Sequence, residues 1–338
     1  MTTGPQFCHN IPGLWTVELF DWIFFNGSIS VRGMLLRLLW RTCLSILVVE
    51  TGVAADSPKR KAPTMARVLA ESKPGDWRPL DPENTLYVEF TTGRVVIELA
   101  PVFAPRHVAN VKALAREKYY DGLAIVRAQD NYVVQWADPD AEKPDLARQI
   151  QHAQRTLLPE FERALDPKVP FTRLPDGDVY AREVGICDGF PVARDKRTGR
   201  MWLVHSYGMV GAGRDTAADS GGGTELYVVI GQAPRQLDRN VTLLGRVVQG
   251  MELLSSLPRG TGPLGFYEKA EQRVPIKAIR VAADVPVAER SALEVMQTDT
   301  PAFQELIESG RNRREDWFQA VAGHIELSNV PIPVRRQR

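Results

Sequence analysis

Between residues 85 and 138, apolar positions recur with a period of two, interrupted once by a stretch with helical spacing. TLYVEFTTGRVVIELA (85–100) holds two runs rich in Val, Ile, Tyr and Phe joined around Thr92–Gly93, which predicts a β-hairpin. After Pro105, Val108, Val111, Leu114 and Ala115 return at helical spacing, the mark of an amphipathic helix packed on the sheet. GLAIVRAQDNYVVQWAD (122–138) reads as two short strands meeting at an Asp130–Asn131 turn. Strict alternation places Ala124, Val126 and Ala128 on one face of the first strand and Ile125, Arg127 and Gln129 on the other. β character resumes at 207–213, 224–231 and 241–250, a short helix follows at 249–257, and VPIKAIRVAA (274–283) supplies a final strand.

The flanking and intervening segments behave differently. Residues 56–83 are rich in Pro, Lys and Asp and read as an irregular linker, apart from a short helix in TMARVLAES (64–72). The stretch 139–206 is too long for an ordinary loop, so it is expected to be an insertion with short strands of its own and one helix in DLARQIQHAQRTLL (145–158). Residues 285–338 predict a helical extension: TPAFQELIESG starts with Thr300 as N-cap, Pro301 at the first helical position and Gly310 as stop, and REDWFQAVAGHIEL (314–327) follows with a second helical pattern. The expected organisation is an N-terminal extension (1–55), the linker, a core domain at 84–284 with its insertion, and the C-terminal extension. Many short strands beside two helices make the fold class mainly β, a closed antiparallel barrel capped by two helices.

Composition narrows the function. The 338 residues are 44% hydrophobic and 25% charged, with a formal charge of +1, so no global field holds nucleic acid or an anionic membrane. VRGMLLRLLWRTCLSILVVETGVAADSPKRKAP (32–63) places arginines before a short apolar run and small residues, Val53 and Ala55, before Asp56. That order resembles a signal peptide beginning at Met34 and cleaved near Ala55, and it predicts export to the periplasm or a similar compartment, with an uncleaved anchor as the alternative. Of the three cysteines, Cys8 and Cys43 precede the cut, and Cys187 is left as a buried, apolar-like residue. The five histidines are scattered, with His107 read as a surface residue. DSGGGTEL (219–226) lacks the Gly-Lys-Ser/Thr ending of a phosphate loop, and no serine sits in a Gly-x-Ser-x-Gly turn. No cofactor, metal or covalent nucleophile is expected.

With those chemistries set aside, the order of segments and particular residues resembles the cyclophilins, the peptidyl-prolyl cis–trans isomerases. LYVEFTTGRVVIELAPVFAPRHVANVKAL looks like that family's opening hairpin and first helix, and IVRAQDNYVVQWAD like the strand pair that carries its catalytic arginine and glutamine. GMVGAGRDTAADSGGGTELYVVI and QLDRNVTLLGRVVQGMELL are similar to the segments that build the rest of its groove. The resemblance covers about 84–284 and implies Arg127 and Gln135 as catalytic residues. It implies Tyr132, Val133, Gly213, Arg214, Glu225, Tyr227, Leu237 and Val241 as substrate-binding residues. Five positions depart from the family: Glu225 replaces a glutamine, Gln236 a tryptophan, Val241 a histidine, and Trp136 and Ala137 two glycines.

The implied chemistry has a physical basis. Rotating an X–Pro bond breaks amide resonance against a barrier of about 18–20 kcal/mol. A cation or N–H donor aimed at the twisted amide binds it better than either planar isomer, which is differential transition-state binding without covalent chemistry. Arginine suits that task because it stays charged and holds its donors in a rigid fork. The expected activity is isomerisation that assists folding of exported proteins, with Pro-containing unfolded or extended polypeptides as partners. Three alternatives stand beside it: a non-catalytic chaperone or peptide-binding scaffold on the same groove, an interaction module in which the insertion and the C-terminal helices carry the partner contacts, and Arg127 as half of a structural ion pair with Glu225.

Overall fold

The structure, a computed structural model, describes residues 63–337. The signal-like segment 34–55 and its cleavage point lie outside the described residues. Nine strands form one curled antiparallel sheet: β1 (Thr85–Glu89), β2 (Arg94–Leu99), β3 (Ala124–Ala128), β4 (Val133–Ala137), β5 (Met209–Ala212), β6 (Leu226–Val229), β7 (Leu243–Gln249), β8 (Val274–Pro275) and β9 (Ala278–Val281). They lie in the order β8-β3-β4-β6-β5-β7-β2-β1-β9. Among the described residues four α-helices accompany them: α1 (Met65–Glu71), α2 (Pro105–Arg116), α3 (Met251–Ser255) and α4 (Pro301–Arg311). None of these is long and apolar enough to cross a membrane.

Period-two alternation sorts the strands into two faces. Val95, Ile97 and Leu99 of β2 join Val134 and Trp136 of β4 and Leu226 and Val228 of β6 in the inner core. Val108, Val111, Leu114 and Ala115 of α2 and Leu254 of α3 cap that core. Each such fully buried aliphatic chain contributes about 1.5–3 kcal/mol.

Alternation fails at one residue of β3. Ile125 pairs with Trp136 and Arg127 with Gln135, so Val126 is an extra residue and the strand bulges. Ile125 and Ala128 therefore both face the inner core. Arg127 is turned to the opposite face, away from Ile125, contrary to the expected parity.

The insertion carries its own five-stranded sheet, in the order Arg163–Ala164, Arg200–Leu203, Phe190–Asp195, Glu183–Cys187, Thr172–Arg173. Its Val184, Ile186 and Trp202 share a core with Val68 of α1, with Trp77, and with Phe303, Leu306 and Ile307 of α4. Trp77–Pro79, within the stretch read as irregular, pairs with Leu293–Met296, which pairs in turn with Val334–Arg336. Thr300 caps α4 by accepting from the Phe303 N–H, as its position predicts.

Two expected helices are absent. In 145–158 the backbone donors are claimed by side chains of other segments: Asp138 accepts from Arg148 N–H, Glu117 from Gln151 and His152 N–H, and Asn110 from Gln154 N–H. The chain therefore runs along α2 without helical structure, because tertiary partners outbid weak local propensity. The helical pattern at 314–327 is likewise not a helix. Asp176 pairs bidentately with Arg311 and accepts the Ile325 N–H, Arg311 donates to the Gly323 carbonyl, and Trp317 is left 81% exposed.

His107 is not a surface residue. It is 1% exposed, with Nδ1 2.7 Å from Glu160 and Nε2 3.1 Å from the Gly221 carbonyl. It thereby ties α2 to both the insertion and the glycine-rich loop. Cys187 is buried and free, as expected.

Candidate functional site

A single row of cross-strand partners crosses the outer face of the sheet: Arg127 (β3) beside Gln135 (β4), Gln135 beside Tyr227 (β6), and Tyr227 beside Gly211 (β5). Sheet register alone places these side chains next to one another. Gly211 is required here, since a Cβ on it would lie 2.3 Å from the Tyr227 ring. Around the row, Tyr132, Val133, Tyr227, Val229 and Val241 form one apolar cluster.

The guanidinium of Arg127 is held by neutral oxygens. Nε donates to the Leu264 carbonyl at 2.7 Å, one terminal nitrogen donates to Gln135 Oε1 at 3.1 Å, and the other to Gln129 Oε1. The rings of Tyr132 and Phe266 stand 5.4 and 5.3 Å from it, each within cation–π range. An arginine has five N–H donors, so among the described residues two remain for an incoming group. Burial lowers its pKa, opposed by Tyr132 and Glu225, and it remains charged.

Among the described residues the Arg127 guanidinium bonds to Leu264, Gln135 and Gln129 and makes no ion pair with Glu225, so the expected alternative of a structural pair is not what the geometry shows. Its side chain packs on Gly213, where a Cβ would come within 2.5 Å of the carboxylate. Burial raises the Glu225 carboxyl, and the neighbouring Gln135 amide and Arg127 partly offset that rise.

The other expected residues are more peripheral. Arg214 donates to the carbonyls of Asn240, Asp215 and Thr216 and lies over the Phe161 ring. Leu237 is half-buried on the turn Arg235–Leu237, outside the apolar cluster. Trp136, at a glycine position of the resemblance, fills the inner core at 1% exposure.

Several neighbours escaped sequence reading. Leu264 and Phe266 arrive from a loop in which Gly265 approaches Gln129 so closely that a Cβ would lie 2.6 Å from its Cα. No local pattern signals that approach. Gln129 was visible, because the expected alternation set it on the face of Arg127. His205 follows the last insertion strand, and its ring meets the Tyr227 hydroxyl at 2.9 Å. A separate cavity of about 390 Å³ lies between β2 and the insertion, lined by Arg78, Glu98, Phe103, Cys187 and Asp188 among others. It shares no residue with the Arg127 row. In its wall Arg78 is paired to Glu98 at 2.6 Å and to Asp188 at 2.9 Å.

Comparisons with known proteins bear on the family and the fold. The model of the family described as cyclophilin type peptidyl-prolyl cis-trans isomerase/CLD matches residues 85–281, more than half of the chain. A probable peptidyl-prolyl cis-trans isomerase of Brucella suis is 24% identical over 181 residues, covering 54% of this chain and 74% of its own length. The human peptidyl-prolyl cis-trans isomerase-like 1 is 25% identical over 219 residues, covering 64% of this chain and 99% of its own. The crystal structure of cyclophilin AquaCyp293 from Hirschia baltica superposes with a TM-score of 0.61 at 25% identity. It covers 81% of this chain and 97% of that one, more than the 85–281 stretch alone accounts for.

Proposed function

The chain belongs to the cyclophilin-type peptidyl-prolyl cis–trans isomerase family, and from that premise we propose that the outer-face row is its active site, with Arg127 stabilising the twisted X–Pro amide. The observation that carries this reading is the half-buried guanidinium: positioned by neutral oxygens, clear of ion pairing with Glu225, and keeping two N–H donors among the described residues. Gln135 orients the substrate carbonyl. Tyr132, Val133, Tyr227 and Val241 receive the proline ring, and Gly213, Arg214, Glu225 and Leu237 line the flanking path of the peptide.

As the bond rotates, the proline nitrogen loses conjugation and regains a lone pair. A donor fixed beside that nitrogen gains strength only in the twisted state, and the half-dry site strengthens it further. Substrates are Pro-containing segments of unfolded or extended polypeptides. Export after cleavage near Ala55, and assistance to exported proteins, belong to the same proposal and rest on the arginine, apolar and small-residue order at 32–56. So does closure of the curled sheet into a barrel, supported by β8 and β9 being consecutive parts of segment 274–281, one paired with β3 and the other with β1. The division into a 56–83 linker, an 84–284 core and a 285–338 extension also stays part of this reading.

Glu225 favours a second reading, a peptide-holding scaffold, because a carboxylate near Arg127 weakens its pull on an electron-rich amide. Cis–trans exchange of an Ala-Pro-Phe peptide, followed by NMR at catalytic amounts of the chain, separates the two. Acceleration abolished by Arg127→Ala supports the enzyme. Binding without acceleration in the parent chain leaves the scaffold.

A further inference from the structure

Tyr227 carries a hydroxyl on a ring that faces the apolar cluster, and that hydroxyl is led away from the pocket. It meets Nε2 of His205 at 2.9 Å, with the two ring planes near-parallel, 8° apart, and their centroids 6.3 Å apart. His205 is 0% exposed and arrives from the end of the insertion. Its Nδ1 lies 3.1 Å from Asp238 Oδ1, which also accepts the His205 backbone N–H at 2.9 Å. Asp238 in turn accepts from Arg235 Nε at 2.6 Å, and Arg235 makes two further bonds to Asp178 of the insertion, at 2.7 and 3.1 Å.

The direction of each bond follows from what each group can do. A carboxylate only accepts, so the neutral imidazole carries its proton on Nδ1 and offers the Nε2 lone pair. The Tyr227 hydroxyl then donates to Nε2. A charged pair, Arg235–Asp238, fixes the ring at its far side, and such connected buried networks hold their members in one arrangement.

We propose that His205 is a positioning residue of the prolyl pocket: by accepting the Tyr227 O–H it keeps the hydroxyl off the pocket face, so the proline ring meets only ring carbon. This rests on the reading of Tyr227 as a pocket wall. Asp238, Arg235 and Asp178 support the histidine, and through His205 and Asp178 the insertion bears on the polarity of the pocket. Without the acceptor, the buried hydroxyl must either stay unpaired or turn toward the pocket.

Two measurements on the full chain test this. In nitrogen-15 imidazole spectra, with the His205 signals identified by their loss in His205→Asn, His205 shows the Nδ1–H form, and Tyr227→Phe shifts the Nε2 resonance. An Nε2–H form, or no shift, overturns the assignment whether or not the chain catalyses. In the exchange assay, His205→Leu raises KM for an Ala-Pro-Phe peptide by about tenfold with a smaller change in kcat, and adding Tyr227→Phe recovers most of the loss. An equal loss in the single and double variants, or an unchanged KM in the single one, overturns it. A parent chain that accelerates no peptide refutes the isomerase reading and leaves the spectra to decide the histidine.

Discussion

Replacing Arg127 with lysine keeps a positive charge on β3 and removes the fork. In the parent, three different nitrogens donate to three acceptors: Nε to the Leu264 carbonyl, and the terminal pair to Gln135 and Gln129. A single ammonium cannot span them. Loss of one preorganised donor to a developing charge costs about 10²- to 10³-fold in kcat, and that is the expected loss for Arg127→Ala. The lysine variant keeps part of the field without the aim, so it is expected about 10- to 100-fold below the parent. Because the ground state is bound mainly by the apolar cluster, KM should change by less than threefold or so in both variants. NMR exchange on an Ala-Pro-Phe peptide, with circular dichroism to verify folding, reads both constants. A lysine variant within twofold or so of the parent would mean that charge alone suffices and that the anchored geometry is irrelevant. An alanine variant as active as the parent would remove Arg127 from the mechanism.

Three further outcomes follow from the same structure. Burial raises the Glu225 carboxyl above its ordinary 4.5, so its ionisation opposes folding; this penalty is absent below that pH and grows as pH climbs through the raised value. Glu225→Gln should therefore raise the melting temperature at about pH 8 and leave it unchanged at about pH 4, and equal shifts at both would refute the burial argument. Gly211→Ala sets a Cβ 2.3 Å from the Tyr227 ring; the expected cost is about 1–3 kcal/mol by denaturant midpoint, with weaker peptide binding, and wild-type affinity would show that Tyr227 is not held where described. The Cys187 thiol is pushed up to about 12 by burial; peptide mapping after maleimide treatment at about pH 8 should find it unlabelled in the native chain and labelled in denaturant.

How far the sequence reaches can be judged from particular elements. The 85–100 hairpin, α2 and the strands at β5, β6 and β7 were legible because one face of each is buried, and burial leaves a period of two or 3.6 in the residue order. The outer-face cluster was legible too: Tyr132, Val133, Tyr227 and Val241, named from family resemblance, share one apolar cluster. Leu237, named on the same grounds, does not belong to it.

What periodicity could not settle depends on segments far apart in the chain. The apolar order of 145–158 and 314–327 suits a helix, yet carboxylates and amides from other elements take their backbone donors first. His107 looks like a solvent-facing residue until Glu160 and Gly221 close over it. Above all, strict alternation would set Arg127 on the same face as Ile125, in the apolar core. One unpaired residue, Val126, turns the guanidinium outward to Gln135. The composition of the strands dictates that a sheet forms and which of its faces is dry. A one-residue slip in pairing costs nothing that composition records, and only the fit of β3 against β4 and the 264–266 loop selects it.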